Sequence, residues 1–181
     1  VTRGADSATH PIGGRGQEIR ERLSLLTQVG SPGRVIRHHG DFHLGQVLRS
    51  ADERWVVLDF EGEPARTLVE RRRKRSPLRD VAGMLRSFAY AATASELDHG
   101  VGAPAGWEDE VREEFLAGYL ESVDPSVLPP GRAAIDRLLS VFELEKAVYE
   151  LRYELDNRPD WVRIPVAGIC RLLELETEEA M

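Results

Sequence analysis

A chain of 181 residues, 41% of them hydrophobic and 30% charged, has room for one domain, or one lobe of a larger protein, with a sizeable core. Its net charge of -7 excludes a generic nucleic-acid-binding surface, which needs clustered positive charge. No apolar run approaches the roughly 20 residues of a membrane span, the opening VTRGADSATH has no signal-peptide core, and the single cysteine, Cys170, excludes an internal disulfide. A cytoplasmic protein without membrane or nucleic-acid partners is expected, with Cys170 a core filler among Val166, Ile169, Leu172 and Leu173.

Residues 1–16 are polar and glycine-rich and read as a linker or severed segment. From Gln17 to Val29 the apolar positions Ile19, Leu23, Leu26 and Val29 follow helical spacing, and Gly30, Pro32 and Gly33 stop the pattern. Val35 and Ile36 begin a strand, Val47 and Leu48 a second, and Trp55 to Phe60 a third, with the turn SADER between the last two. Glu61 to Ser76 lacks periodicity and reads as a long irregular loop; it contains the basic run Arg71 to Arg75, unusual in an acidic chain. That run is consistent with a phosphate clamp, a nucleic-acid contact or a solvated loop.

Ser76-Pro77 opens a strong helix, with Val81, Met84, Leu85, Phe88 and Ala92 on one face. A break follows from Asp98 to Gly106, then a helix from Trp107 to Val123, the loop DPSVLPPG, a helix from Ala133 to about Asp156, and a last one from Pro165 to Glu176. The expected class is α+β and mostly helical, with a small hairpin array that must pack on helices to be stable.

The loop between the first two strands, within RHHGDFHLGQ, crowds His39, Asp41, His43 and Gln46 into eight positions. It is either a decorated turn, a metal site that includes the histidines, or a catalytic loop. The carboxylate spacing bears on the choice. A hairpin returns the end of the third strand beside the loop, so Asp41, Gln46 and Asp59 converge at one edge. Asp59 and the Gln46 amide oxygen suit magnesium, which takes hard oxygen ligands, and Asp41 is left to meet a substrate hydroxyl. An Asp base, an amide ligand five residues on and a second metal-binding Asp form the arrangement of kinase-type phosphoryl transfer.

HGDFHLGQ and LDFEGE resemble the catalytic loop and metal-binding motif of the aminoglycoside phosphotransferase-like branch of the protein-kinase fold. Together with RRKRSPLRDVAGMLRSFAYAA and ELEKAVYELRYELDNRPDWVRIP they resemble the maltokinase family, whose pattern has Gln at 46 and Glu at 61. The resemblance runs from about Val35 to the end of the chain. It implies a kinase-like C-terminal lobe over 17–181 that transfers phosphate from ATP to maltose, giving maltose 1-phosphate. Magnesium is its cofactor and trehalose synthase an associated or fused partner.

By the same resemblance Asp41 is the catalytic base, Gln46 and Asp59 are metal ligands, and Glu61 is either a further metal contact or a structural acid. His39 and His43 shape the loop, and Asp80 accepts backbone N–H bonds from it. The acceptor sugar is expected near Glu143, Lys146, Tyr149, Tyr153 and Trp161, where polar groups lie beside aromatic faces. The nucleotide lobe of such kinases carries a phosphate loop and a lysine. Only two lysines occur, Lys74 and Lys146, both after the loop, so the chain by itself is expected to be inactive. Two rivals stand: a non-catalytic sugar- or partner-binding lobe, and a kinase for another small hydroxyl acceptor.

Overall fold

The computed structural model describes residues 8–25, 33–64 and 66–179, with side chains to residue 174. Its elements are α1 (Gly16–Ser24), β1 (Val47–Arg49), β2 (Trp55–Val57), α2 (Leu68–Arg71), α3 (Leu78–His99), α4 (Trp107–Ser122), α5 (Arg132–Asn157) and α6 (Arg163–Glu179). Two compact units share the chain. One joins the N-terminal segment to everything from Ser140 onward, and the other ends at Leu139.

In the unit ending at Leu139, β1 and β2 form an antiparallel pair with Val47 opposite Val57, Leu48 opposite Val56 and Arg49 opposite Trp55. The expected strand at Val35 and Ile36 is not one. Ile36 makes a single antiparallel bridge to Arg75, exchanging two backbone bonds of 2.9 and 3.0 Å, and the chain then leaves for Gly40, whose φ of +87° no strand accommodates. The array is therefore two-stranded among the described residues. The expected irregular loop after Phe60 also contains a helix. Thr67 and Glu70 form a reciprocal capping box that satisfies orphan N–H groups at the start of α2.

Helix α3 follows the apolar period read from the sequence. Leu78, Val81, Met84 and Leu85 are buried, each worth roughly 1.5–3 kcal/mol of apolar transfer. Phe88 meets Phe115 of α4 edge-on at 5.7 Å, and Arg112 of α4 donates to the Leu85 carbonyl at 2.9 Å. Gly100, at φ +68°, ends α3 in the left-handed turn that a glycine adopts without a Cβ penalty.

The other unit packs Leu144, Ala147, Ile169, Leu172 and Leu173 into a core, against which Ile12, Ile19, Leu23, Val148 and Leu151 are laid. Ile12 belongs to the segment read as a linker; the turn His10–Ile12 brings it onto this core. Leu26 and Val29 of the expected first helix lie outside the described residues. Arg22 of α1 donates to the carbonyls of Leu172 and Leu173 at 3.3 and 3.1 Å. Cys170 is partly exposed rather than a core filler, because the buried stripe of α6 passes through Ile169, Leu172 and Leu173 on its neighbouring face. No helix among the described residues is long and apolar enough to cross a membrane.

At the end of α5, Glu154 is only 1% exposed, and Arg158 donates to both its oxygens at 2.8 and 2.6 Å. The same guanidinium lies over the rings of Trp161 and Tyr153, at 4.5 and 5.6 Å from their centroids. A buried carboxylate that loses its partner costs far more than the pair contributes relative to apolar side chains. Arg158→Ala is therefore expected to lower stability by about 3 kcal/mol in denaturant unfolding, and the pair Glu154→Leu with Arg158→Met to recover most of the loss. A single-variant loss too small to resolve in the unfolding midpoint would contradict this.

Candidate functional site

The residues singled out from 39 to 80 are held together by a connected set of hydrogen bonds. Asp80, in the first turn of α3, accepts from the backbone N–H of His39 at 2.6 Å and of Gly40 at 2.9 Å. His39 is buried, with its ring between Phe42 and Phe60 at centroid distances of 5.5 and 5.0 Å. The N–H of Asp41 donates to its Nδ1 at 3.3 Å, which assigns the ring proton to Nε2, and Nε2 in turn donates to the Leu58 carbonyl at 2.6 Å. His39 thus ties the loop to the residue just before Asp59.

The hairpin supplies the second tie. Leu58 N–H donates to the Gln46 carbonyl at 2.9 Å, extending the ladder past β2, and the Gln46 side-chain amide donates to Asp59 Oδ2 at 3.1 Å. Asp59 has φ +58°, a left-handed conformation that Asp tolerates better than most residues. The strand expected to run from Trp55 to Phe60 ends at Val57, with one further rung at Leu58 before this turn. Asp41 keeps a partly exposed carboxylate, with His43 Nε2 4.0 Å from its Oδ2. His43 Nδ1 accepts from Gly45 N–H at 3.1 Å.

Glu61 stands apart from this group. Its side chain is 82% exposed and its carboxylate lies 3.9 Å from Arg71, whose guanidinium also reaches the Glu61 carbonyl at 3.5 Å. Arg71 thus folds back along Gly62, while Arg72, Arg73 and Lys74 are exposed. Next to Glu61 the chain buries Glu63 against Arg66 at 2.6 Å, a pair the sequence reading passed over. His38, half-buried, has its imidazole held below the ordinary value, chiefly by burial; the charges of Arg75, Arg79 and Arg66 add to this and Asp80 opposes it.

Two further contacts were missed in the sequence. Ser87 Oγ accepts from Leu44 N–H at 2.9 Å, and a Cβ on Gly83 would stand 2.7 Å from the Phe42 carbonyl oxygen. Asp80, Gly83 and Ser87, at i, i+3 and i+7, make a polar and small stripe beside the apolar face of α3, and the loop lies along it. That stripe was the available signal.

Glu143, Lys146, Tyr149, Tyr153 and Trp161 belong to the other unit. Glu143 is buried with Arg171 at 4.0 Å, and Lys146 Nζ lies 5.0 Å from the Tyr149 ring centroid. The rings of Tyr153 and Trp161 carry Arg158.

Among the described residues no three His, Cys, Asp or Glu side chains are grouped to hold a metal ion, which counts against a histidine-based zinc site. Magnesium asks less of a protein, one or two carboxylates with the remaining oxygens from phosphates and water. Asp59 with Gln46 meets that requirement in type of donor, the amide turning its oxygen rather than its NH2 toward a cation.

No family model matches the chain. It is 31% identical over 148 residues to a glucosamine kinase of Streptacidiphilus jiangxiensis and 32% identical over 151 residues to a glucosamine kinase of Mycolicibacterium smegmatis. These matches cover 80% and 77% of this chain but 33% and 35% of the relatives, so the chain spans about a third of their length. Among solved structures it matches a glucosamine kinase in complex with glucosamine, ADP and inorganic phosphate with a TM-score of 0.76 and 28% identity, over 94% of this chain and 42% of that one. A second crystal form of glucosamine kinase aligns with a TM-score of 0.77 at 26% identity. The chain is homologous to these sugar kinases and shares the fold of part of them.

The close approach at Gly83 gives a direct check. Because the atom a new methyl would meet is backbone, Gly83→Ala must push the loop off α3, at a cost of about 1–3 kcal/mol. Thermal unfolding should show the loss as several degrees, and an unchanged midpoint would mean that the loop does not rest on the helix there.

Proposed function

We propose that this chain is the part of an ATP-dependent sugar kinase that orients the acceptor hydroxyl and holds the metal. The observation that supports the reading is the bonded path from Asp80 to His39 to Leu58, with Gln46 to Asp59 beside it, which ties the loop carrying Asp41 to the segment carrying Asp59. The homology to glucosamine kinases supports the reaction class.

In the proposed reaction, the sugar hydroxyl oxygen attacks the γ-phosphorus, the bond to the bridging oxygen of ADP breaks, and the hydroxyl proton passes to the Asp41 carboxylate. Asp59 and Gln46 would hold magnesium, which neutralises phosphate charge as the phosphoryl group moves. Glu61, exposed and beside Arg71, is better read as a structural acid than as a third ligand. Positioning and electrostatics supply most of the barrier reduction, so the rigidity of the loop matters more than any covalent chemistry.

Two acceptors have support. The names of the relatives favour glucosamine; the HGDFHLGQ and NRPDW motifs, through their resemblance to maltokinases, favour maltose. Parallel measurement of kcat/KM for both sugars with the complete polypeptide decides between them. Trehalose synthase as a fused or associated partner rests on the maltokinase resemblance alone and stands or falls with maltose.

In the same assay Asp41→Asn should lower kcat by about a thousandfold while sugar affinity stays within about threefold, since the lost role is confined to the transition state. Near-normal turnover would remove Asp41 from the chemistry. For Asp59→Asn the magnesium concentration that half-saturates activity should rise by at least about tenfold. A magnesium titration that superimposes on the wild-type curve would overturn the metal assignment.

A further inference from the structure

The 3-10 turn Leu44–Gln46 begins at His43, whose ring accepts the N–H of Gly45 on Nδ1 at 3.1 Å. A neutral imidazole has one donor and one acceptor, so accepting on Nδ1 leaves the proton on Nε2. Nε2 is the ring atom that faces Asp41, 4.0 Å from Oδ2. The other tautomer would turn a lone pair toward a carboxylate while setting two N–H groups against each other at Gly45.

The backbone makes this arrangement specific to glycine at 45. A Cβ there would lie 2.9 Å from Cε1 of His43, closer than real side chains approach, and a tight 3.0 Å from its Nδ1. A larger residue would swing the ring away and take Nε2 off the Asp41 carboxylate.

We propose that His43 is a positioning residue for the phosphoryl transfer, with Gly45 as its lock. Its backbone-fixed Nε2–H donates to Oδ2 of Asp41 and so orients the carboxylate that takes the acceptor's proton. A small side-chain rotation closes the 4.0 Å separation, as catalytic hydrogen bonds commonly tighten when substrate binds. His43 exchanges no proton in the step; the hydroxyl proton still ends on Asp41. The proposal rests on the reading of Asp41 as the base, and it goes beyond loop support, which would need only the acceptor on Nδ1.

That distinction sets the test. Serine caps a 3-10 or α turn well, so His43→Ser keeps an acceptor for Gly45 N–H and removes the donor to Asp41. In the complete polypeptide, His43→Ser and Gly45→Ala should each lower kcat about tenfold, with KM for sugar and for ATP moving less than about threefold. The double variant should be no worse than either single one, because both break the same link.

Independently of any variant, histidine nitrogen NMR of the wild type, at a pH above the ordinary histidine value, should find the His43 proton on Nε2. A proton on Nδ1 overturns the proposal. So does a His43→Ser enzyme with kcat within about twofold of wild type in an assay where Asp41→Asn abolishes turnover, since His43 is then only a cap. Turnover that survives Asp41→Asn instead overturns the functional reading itself.

Discussion

Two backbone N–H groups, those of His39 and Gly40, end on one carboxylate, that of Asp80, across 41 and 40 positions of chain. Much of the site depends on this contact. A carboxylate accepting two backbone N–H groups makes charge-assisted bonds about twice as strong as neutral ones, and its place in the first turn of α3 adds the favourable end of a helix dipole. With those two amides fixed, Gly40 can keep its left-handed φ and the ring of His39 is set between Phe42 and Phe60. The ring then reaches the Leu58 carbonyl, and Asp59 follows as the next residue. A helix residue that touches no proposed substrate therefore governs the approach of two acidic groups that would.

The hairpin needs this external support. Two strands of three residues each are marginal alone, and both strands are largely solvent-exposed, Trp55 at 70%. What keeps the mouth of the hairpin closed is the added rung from Leu58 N–H to Gln46 and the bond from the Gln46 amide to Asp59. The second bond is also a cost of the resting geometry, because it holds an amide NH2 where a cation would prefer the amide oxygen. A cation bound there replaces the bond rather than adding to it.

The sequence made some of this legible and hid the rest for physical reasons. The meeting of Gln46 and Asp59 was readable because a hairpin has few ways to return, and the α3 period was readable because nearly a full face of it is buried. Ile36 misled because one bridge to Arg75 satisfies an extended residue as well as a strand does, and bridges have no period. Helix α2 escaped a search for periodicity because four residues are too few to carry one; its Thr67 and Glu70 capping box was the only signature. Gly83 and Ser87 lie beside the apolar stripe and look like ordinary small residues until the loop they receive is known.

The choice of acceptor is the part that local chemistry determines least. Under the proposed reading, a loop that takes a hydroxyl proton beside a phosphate would act on any sugar brought to it, so discrimination would fall to residues that contact the rest of the ring. Of those read from the sequence, Tyr153 and Trp161 share the Arg158 guanidinium, which also neutralises buried Glu154. A sugar stacking on the ring face that Arg158 covers would compete with that guanidinium, whose pairing with buried Glu154 opposes its displacement. Glu143, Lys146 and Tyr149 are committed in the same way, since Glu143 is buried with Arg171 4.0 Å away and Lys146 stands over the Tyr149 ring, so an acceptor would compete with partners already in place there too.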